Sequence, residues 1–144
     1  MIRVTAEEQP AQADIDAVDE GLHRHNLDHG GVDEVQRLTV FARDETGRVR
    51  GGAVGRRWGP YCELQQLWVD EPLRRTGIGA RLLSAFEAQG LSLGASTVYL
   101  DTFSFQAPAF YAKRGYAVVH ALEGFPGGKA KYTMQKRLQP QATP

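Results

Sequence analysis

The sequence predicts an α/β fold, and three observations carry that reading. Strand-like and helix-like runs alternate along 144 residues with no internal linker. Two β-patterned runs flank the turn Asp44-Glu45-Thr46-Gly47, a hairpin signal. An apolar strand end, Leu67-Trp68-Val69, feeds a basic turn containing Gly77 and Gly79, and an amphipathic helix starts at once. With 42% hydrophobic residues the chain can bury a core as one domain. That domain is expected over residues 1–138, with 139–144 as a frayed tail.

Taken in order, Ile2 to Thr5 is expected to be a short strand. From about Pro10 to Leu27 the apolar residues Ile15, Val18 and Leu22 recur at helical spacing, and Gly30-Gly31 stops the run. Gln36 to Arg43 and Val49 to Arg57 form the hairpin. Trp58-Gly59-Pro60 turns into a strand from Tyr61 to Val69. Ile78, Leu82, Leu83 and Phe86 mark the buried stripe of the next helix, which ends near Gly90. Thr97 to Asp101 is another strand, and Ala107 to Arg114 a short helix ended by Gly115. Tyr116 to Leu122 and Lys131 to Lys136 close the sheet.

Charge and cysteine content narrow the function classes. Net charge is zero and the pI about 6.9, so no basic footprint for DNA or RNA exists. The single cysteine, Cys62, allows no internal disulfide and fits a reducing compartment. The N-terminus turns polar before any signal-like apolar run, and no stretch of about 18 apolar residues occurs. The expectation is a cytoplasmic protein without a membrane partner.

The turn from Arg74 to Ala80 reads as an anion cradle. Backbone N–H groups at a helix N-terminus lack intrahelical acceptors, the helix dipole favours negative charge, and two arginines stand beside them. Glycine at 77 and 79 lets a diphosphate approach those amides. A P-loop is excluded, because no Gly-Lys-Ser/Thr run follows a glycine at the required spacing. A dinucleotide fingerprint needs Gly or Ala where Leu82 stands, and Asp101 fits its acidic position only loosely.

What remains, Arg74-x-x-Gly77-x-Gly79-Ala80, resembles the R/Q-x-x-G-x-G/A signature of the GNAT N-acetyltransferase superfamily. Phe110-Tyr111-Ala112-Lys113-Arg114-Gly115-Tyr116 resembles that family's later motif, an aromatic-Tyr pair before Gly-Phe/Tyr, and Ala107 falls four residues before Tyr111. The order of elements also resembles the family's over nearly the whole chain. The resemblance therefore implies a mixed, mostly antiparallel sheet of six to seven strands flanked by helices. Two positions depart from the pattern: Ser104 stands where Asn is usual, and Arg75 where many members carry glycine.

The resemblance implies direct acetyl transfer from acetyl-CoA, a co-substrate, to an amine of a small molecule or peptide, without a metal. The cofactor-binding residues so implied are Leu67, Trp68, Val69, Arg74, Arg75, Thr76, Gly77, Ile78, Gly79, Ala80, Ser104, Ala107 and Tyr111. Backbone groups of Leu67 and Val69 would meet the pantetheine arm where their strand splays from its neighbour. Tyr111 would protonate, or hydrogen-bond, the leaving thiolate. An alkylammonium has a pKa of about 10, so its proton must leave before attack. Side-chain alternation predicts Glu63, Gln65, Leu67 and Val69 on one face. Glu63 has the spacing at which some members place a base, and a water relay without it is the alternative.

Other residues have plainer readings. His23, His25 and His29 lie at the end of the first helix, where cationic side chains suit the dipole, and nothing completes a metal set. In the family that helix and the following loop wall the acceptor pocket, which brings His25, Asn26 and His29 into question as substrate contacts. Cys62 alternates away from Glu63 and has no partner histidine. Phe103 and Phe105 read as core or pocket wall. Arg56, Arg57, Trp58 and Tyr61 form a mixed aromatic-basic rim suited to an acidic or aromatic acceptor or to a homodimer contact. A non-catalytic acyl-CoA sensor is the rival function; only the enzyme needs Tyr111.

Overall fold

The structure is a computed structural model that describes residues 1–31 and 34–139. The chain divides into two compact units, Met1–Glu34 and Val35–Pro144. The first holds helix α1 (Gln12–His29), entered from an extended Ala11 and closed at Gly30, whose N–H donates to the Asn26 carbonyl at 2.7 Å. None of its residues is buried, Ile15, Val18 and Leu22 included. The expected strand over Ile2 to Thr5 does not form. A strand exists only where a neighbour supplies a ladder, and this segment pairs with nothing among the described residues. Residues 140–144 of the expected tail lie outside the described residues.

The second unit holds β1 (Gln36–Arg43), β2 (Val49–Trp58), β3 (Tyr61–Val69), α2 (Ile78–Ser92), β4 (Thr97–Phe103), α3 (Pro108–Ala112), β5 (Ala117–Phe125) and β6 (Lys129–Arg137). Among the described residues these make one six-stranded sheet in the order β1-β2-β3-β4-β6-β5, antiparallel except between β3 and β4. The β1–β2 turn forms as its sequence predicts. Asp44 Oδ1 accepts from the Thr46 N–H at 2.9 Å, the Thr46 hydroxyl at 2.7 Å and the Arg48 N–H at 3.1 Å.

Helix α2 packs its apolar stripe on β1, β2 and β3. Phe86 sits at the centre of the core with Leu38, Leu83, Val98, Leu100 and Met134, all fully buried. Close approach needs glycine at two points. A Cβ on Gly55 would run into the Glu63 carbonyl and lie 2.8 Å from the Phe86 ring. One on Gly90 would lie 2.6 Å from Cys62 Sγ.

One irregularity corrects the expected alternation of β3. Val54 pairs with Gln66, but the next residue, Gly55, pairs with Leu64, so Gln65 is an extra residue. This β-bulge reverses the parity of the strand. Leu67 and Val69 pair with Ala53 and Gly51 and share the α2 face with Cys62 and Leu64. Glu63, Gln66 and Trp68 pair with Arg56, Val54 and Gly52 on the opposite face. Glu63 therefore does not share a face with Leu67 and Val69.

Candidate active site

The site is cut into the sheet where β3 and β4 part. Their parallel ladder runs over three residue pairs, Tyr61–Glu63 with Thr97–Tyr99, and then stops. Past that point the strands diverge, and a cleft opens on each side of the gap.

The first cleft, about 390 Å³, holds the turn expected to cradle phosphate. From Val69 the chain passes through a 3₁₀ turn, Glu71–Leu73, to Arg74, whose Nε donates to the Val69 carbonyl at 3.0 Å. Arg75 adopts φ +64° and Gly77 φ +87°, which turn the backbone sharply into α2. The first helical bond runs from the Arg81 N–H to the Gly77 carbonyl at 3.1 Å, and no side chain caps this end among the described residues. The N–H groups of Ile78, Gly79 and Ala80 thus stand ahead of the helical ladder. Arg74, Arg75, Gly77, Gly79 and Ala80 line the cleft with Leu67, Val69, Ala107 and Tyr111.

The second cleft, about 570 Å³, lies against the opposite face of the β1–β3 half of the sheet. Phe41, Val54, Gln66 and Trp68 form one wall, and Asp101, Thr102 and Gln106 the other. The Gln106 amide oxygen accepts from the Phe103 N–H at 2.7 Å and lies 3.3 Å from the Thr102 hydroxyl, so the end it can offer a ligand is its NH₂ donor. Leu67, Ala107 and Tyr111 line both clefts.

Tyr111 is held at this junction by α3. Its N–H donates to the Ala107 carbonyl at 3.4 Å, and its own carbonyl accepts from Arg114 and Tyr116 at 2.9 and 3.1 Å. Its ring packs edge-on against Phe110 and Tyr116. Burial pushes its phenol above the ordinary value, so the hydroxyl stays protonated as a donor.

The remaining expected residues are placed as follows. Trp68 lines the second cleft rather than the first. The Thr76 hydroxyl is spent on the Leu73 carbonyl at 2.5 Å, and Ile78 packs against the core. Ser104 Oγ accepts the Ala130 N–H at 3.0 Å, which ties the β4–α3 loop to β6. Glu63 is bridged to Arg56 at 3.4 Å and lines a smaller recess with Tyr99, which meets the second cleft at Leu64, Gln65 and Asp101. Arg56, Arg57, Trp58 and Tyr61 line neither cleft: the Arg57 guanidinium is bound by Gln36 and the Gly59 carbonyl, Arg56 and Tyr61 back the recess residues Glu63 and Tyr99, and both aromatics are half exposed. Phe105 is exposed and stacks on Phe103, outside core and clefts alike. Cys62 is fully buried, and desolvation pushes its thiol up, which suits packing and not nucleophilic attack.

Two residues escaped sequence reasoning. Arg114 stacks its guanidinium 3.8 Å from the Phe110 ring centroid and joins Arg74 and Arg75 in the cradle. The helical spacing from Phe110 to Arg114 was the available signal. Asp101 reaches the second cleft because it lies at the carboxyl end of β4, beyond its pairing with β3.

Comparison with known proteins decides the family. The model of the acetyltransferase (GNAT) family matches residues 5–116. The chain belongs to the GNAT acetyltransferase family. It is 32% identical over 111 residues to blasticidin-S acetyltransferase of Streptomyces morookaense, covering 74% of this chain and 82% of that protein. The crystal structure of an acetyltransferase from Bacillus cereus matches it with a TM-score of 0.75 and 28% identity, over 93% of this chain and 98% of the other. An aminoglycoside 6'-N-acetyltransferase solved with coenzyme A matches at a TM-score of 0.65 and 25% identity, over 75% and 76% of the two chains. This GNAT chain is an N-acetyltransferase. No helix among its described residues is long and apolar enough to cross a membrane.

Proposed function

We propose that this acetyltransferase moves the acetyl group of acetyl-CoA directly onto a primary amine of a small molecule or peptide. The observation that carries the reading is the junction at Leu67, Ala107 and Tyr111, where the arginine-lined cradle meets a second cleft large enough for an acceptor. In this reading the N–H groups that open α2 and the guanidinium groups of Arg74, Arg75 and Arg114 hold the diphosphate. The edge of β3 left free by the splay meets the pantetheine arm through the backbone of Leu67 and Val69. Acetyl-CoA supplies the activated thioester.

Tyr111 acts as a hydrogen-bond donor to the departing sulfur. A thiol has a pKa of about 8.5, and a phenol raised above 10 by burial gives up its proton only uphill. Its contribution is thus a donor bond that strengthens as charge develops on sulfur. The ammonium proton leaves through water in the second cleft, with Glu63 the carboxylate of the adjoining recess that can receive it.

Free-thiol release from acetyl-CoA across amines, polyamines and peptides tests the reaction, with Tyr111→Phe as the paired variant. Packing is kept, so stability should change little, while turnover falls by about 10²- to 10³-fold with nearly unchanged CoA affinity. Undiminished turnover in Tyr111→Phe would leave Tyr111 as a packing aromatic.

A further inference from the structure

Among the described residues, the second cleft is lined by one acidic side chain, Asp101, and by no basic one. Its surroundings leave it half committed. Its ladder partner on β6 is Thr133, whose hydroxyl donates to Oδ1 at 2.6 Å and fixes that oxygen. The other oxygen, Oδ2, lies 3.9 Å from Lys131 Nζ, at the outer limit of an ion pair, and the two side chains are 53% and 37% exposed. A pair so open to solvent binds weakly, and Oδ2 keeps room for another cation. Glu63 differs in being less exposed and closer to its arginine, Arg56.

Asp101 would work against the reaction if it held the nitrogen that attacks. An opposite charge within ion-pair reach favours the ammonium form, whereas attack needs the neutral amine. A cation elsewhere on the acceptor carries no such penalty. The half-exposed indole of Trp68, on the facing wall, adds an aromatic surface for it.

Resting on the N-acetyltransferase reading, we infer that Asp101 selects acceptors bearing a second, non-reacting cationic group, an ammonium or guanidinium separated from the reacting amine by a short chain.

Four amines of similar length and different charge test it: agmatine, putrescine, n-butylamine and γ-aminobutyrate. In the wild type, kcat/KM should favour agmatine and putrescine over butylamine by about tenfold or more, and γ-aminobutyrate should be poorest. Asp101→Asn keeps an oxygen to accept the Thr133 hydroxyl and removes the charge. The agmatine-to-butylamine ratio should then fall toward one, mainly through KM. If that variant fails to fold, the wild-type ratio should itself shrink between about 20 and about 300 mM salt, as screening predicts. A wild-type ratio near one, a ratio unaltered by Asp101→Asn or by salt, or no turnover of any of the four overturns the inference. Thermal stabilisation by CoA separates the two failures: without it the acetyl-CoA reading falls as well, and with it only the role of Asp101 falls.

Discussion

Replacing Arg75 with glycine should make the protein more stable and bind CoA less tightly. Arg75 is the non-glycine residue with positive φ among those described, at +64°. A side chain there costs about 1–2 kcal/mol relative to the right-handed region. Glycine removes that cost and widens the unfolded ensemble, which returns about 0.4–1 kcal/mol. The net gain is about 0.5–1 kcal/mol, a rise in Tm of about 1–4 °C for a domain of this size. The same backbone geometry explains why glycine is common at this position of the motif. Removing a guanidinium that lines the cradle should at the same time weaken CoA by about fivefold. Arg75→Ala is the control, because it keeps a Cβ in the left-handed region and should lose affinity without gaining stability. Differential scanning fluorimetry and CoA titration read the two effects separately. Equal melting temperatures for the two variants would refute the backbone argument, and CoA affinity unchanged in both would remove Arg75 from the phosphate site.

Three further outcomes follow from the geometry. Glu63→Gln should be slow near neutrality and recover partly as pH approaches the acceptor's own pKa of about 10; a wild-type pH–rate profile would assign the proton to water alone. Burial, with the adjacent Glu87 carboxylate, pushes the Tyr116 phenol above its ordinary value, and burial alone does so for Tyr111. Groups held protonated by the fold contribute stability that is intact below the unfolded pKa of about 10 and is lost as pH rises beyond it, by about 1.4 kcal/mol per pH unit for each. Chemical denaturation across that range should show a shallower alkaline slope in Tyr116→Phe, and an unchanged slope would refute the assignment. Gly55→Ala should destabilise by about 1–3 kcal/mol in urea, because its Cβ collides with the Glu63 carbonyl and the Phe86 ring; a neutral effect would show that β2 and β3 can separate freely.

The local features of this fold were legible because each is written in a few adjacent residues. The Asp44–Gly47 turn sets β1 and β2, and the glycine-bracketed basic turn sets the cradle and the start of α2. The Gln65 bulge was not read, since neither glutamine is a turn former. Its trace is nevertheless present: the apolar positions run 62, 64, then 67, 69, a slip of one that strict alternation cannot produce. The place of Asp101 at the second cleft is illegible for a different reason. It depends on where β4 loses its neighbour, which is a property of two strands about thirty-five residues apart in sequence. The segment Ile2 to Thr5 has the alternation of a strand, and alternation alone does not supply a partner.

The bulge in β3 also separates what this enzyme must keep from what it is free to change. It turns Leu67 and Val69 inward to the α2 core and Gln66 and Trp68 outward to the second cleft, within one short stretch of chain. The outward residues are exposed, while the inward ones are partly buried and pack against the core cluster. Substitutions at Gln66 and Trp68 therefore reshape the cleft wall without opening a cavity in the core, and most such surface changes shift stability by only about 0.5 kcal/mol. The first cleft is different, built from contiguous backbone between Val69 and Ala80 that turns through two left-handed residues, Arg75 and Gly77. In the proposed reading, the wall that meets the acceptor can therefore be altered while the backbone that holds the acyl donor is kept.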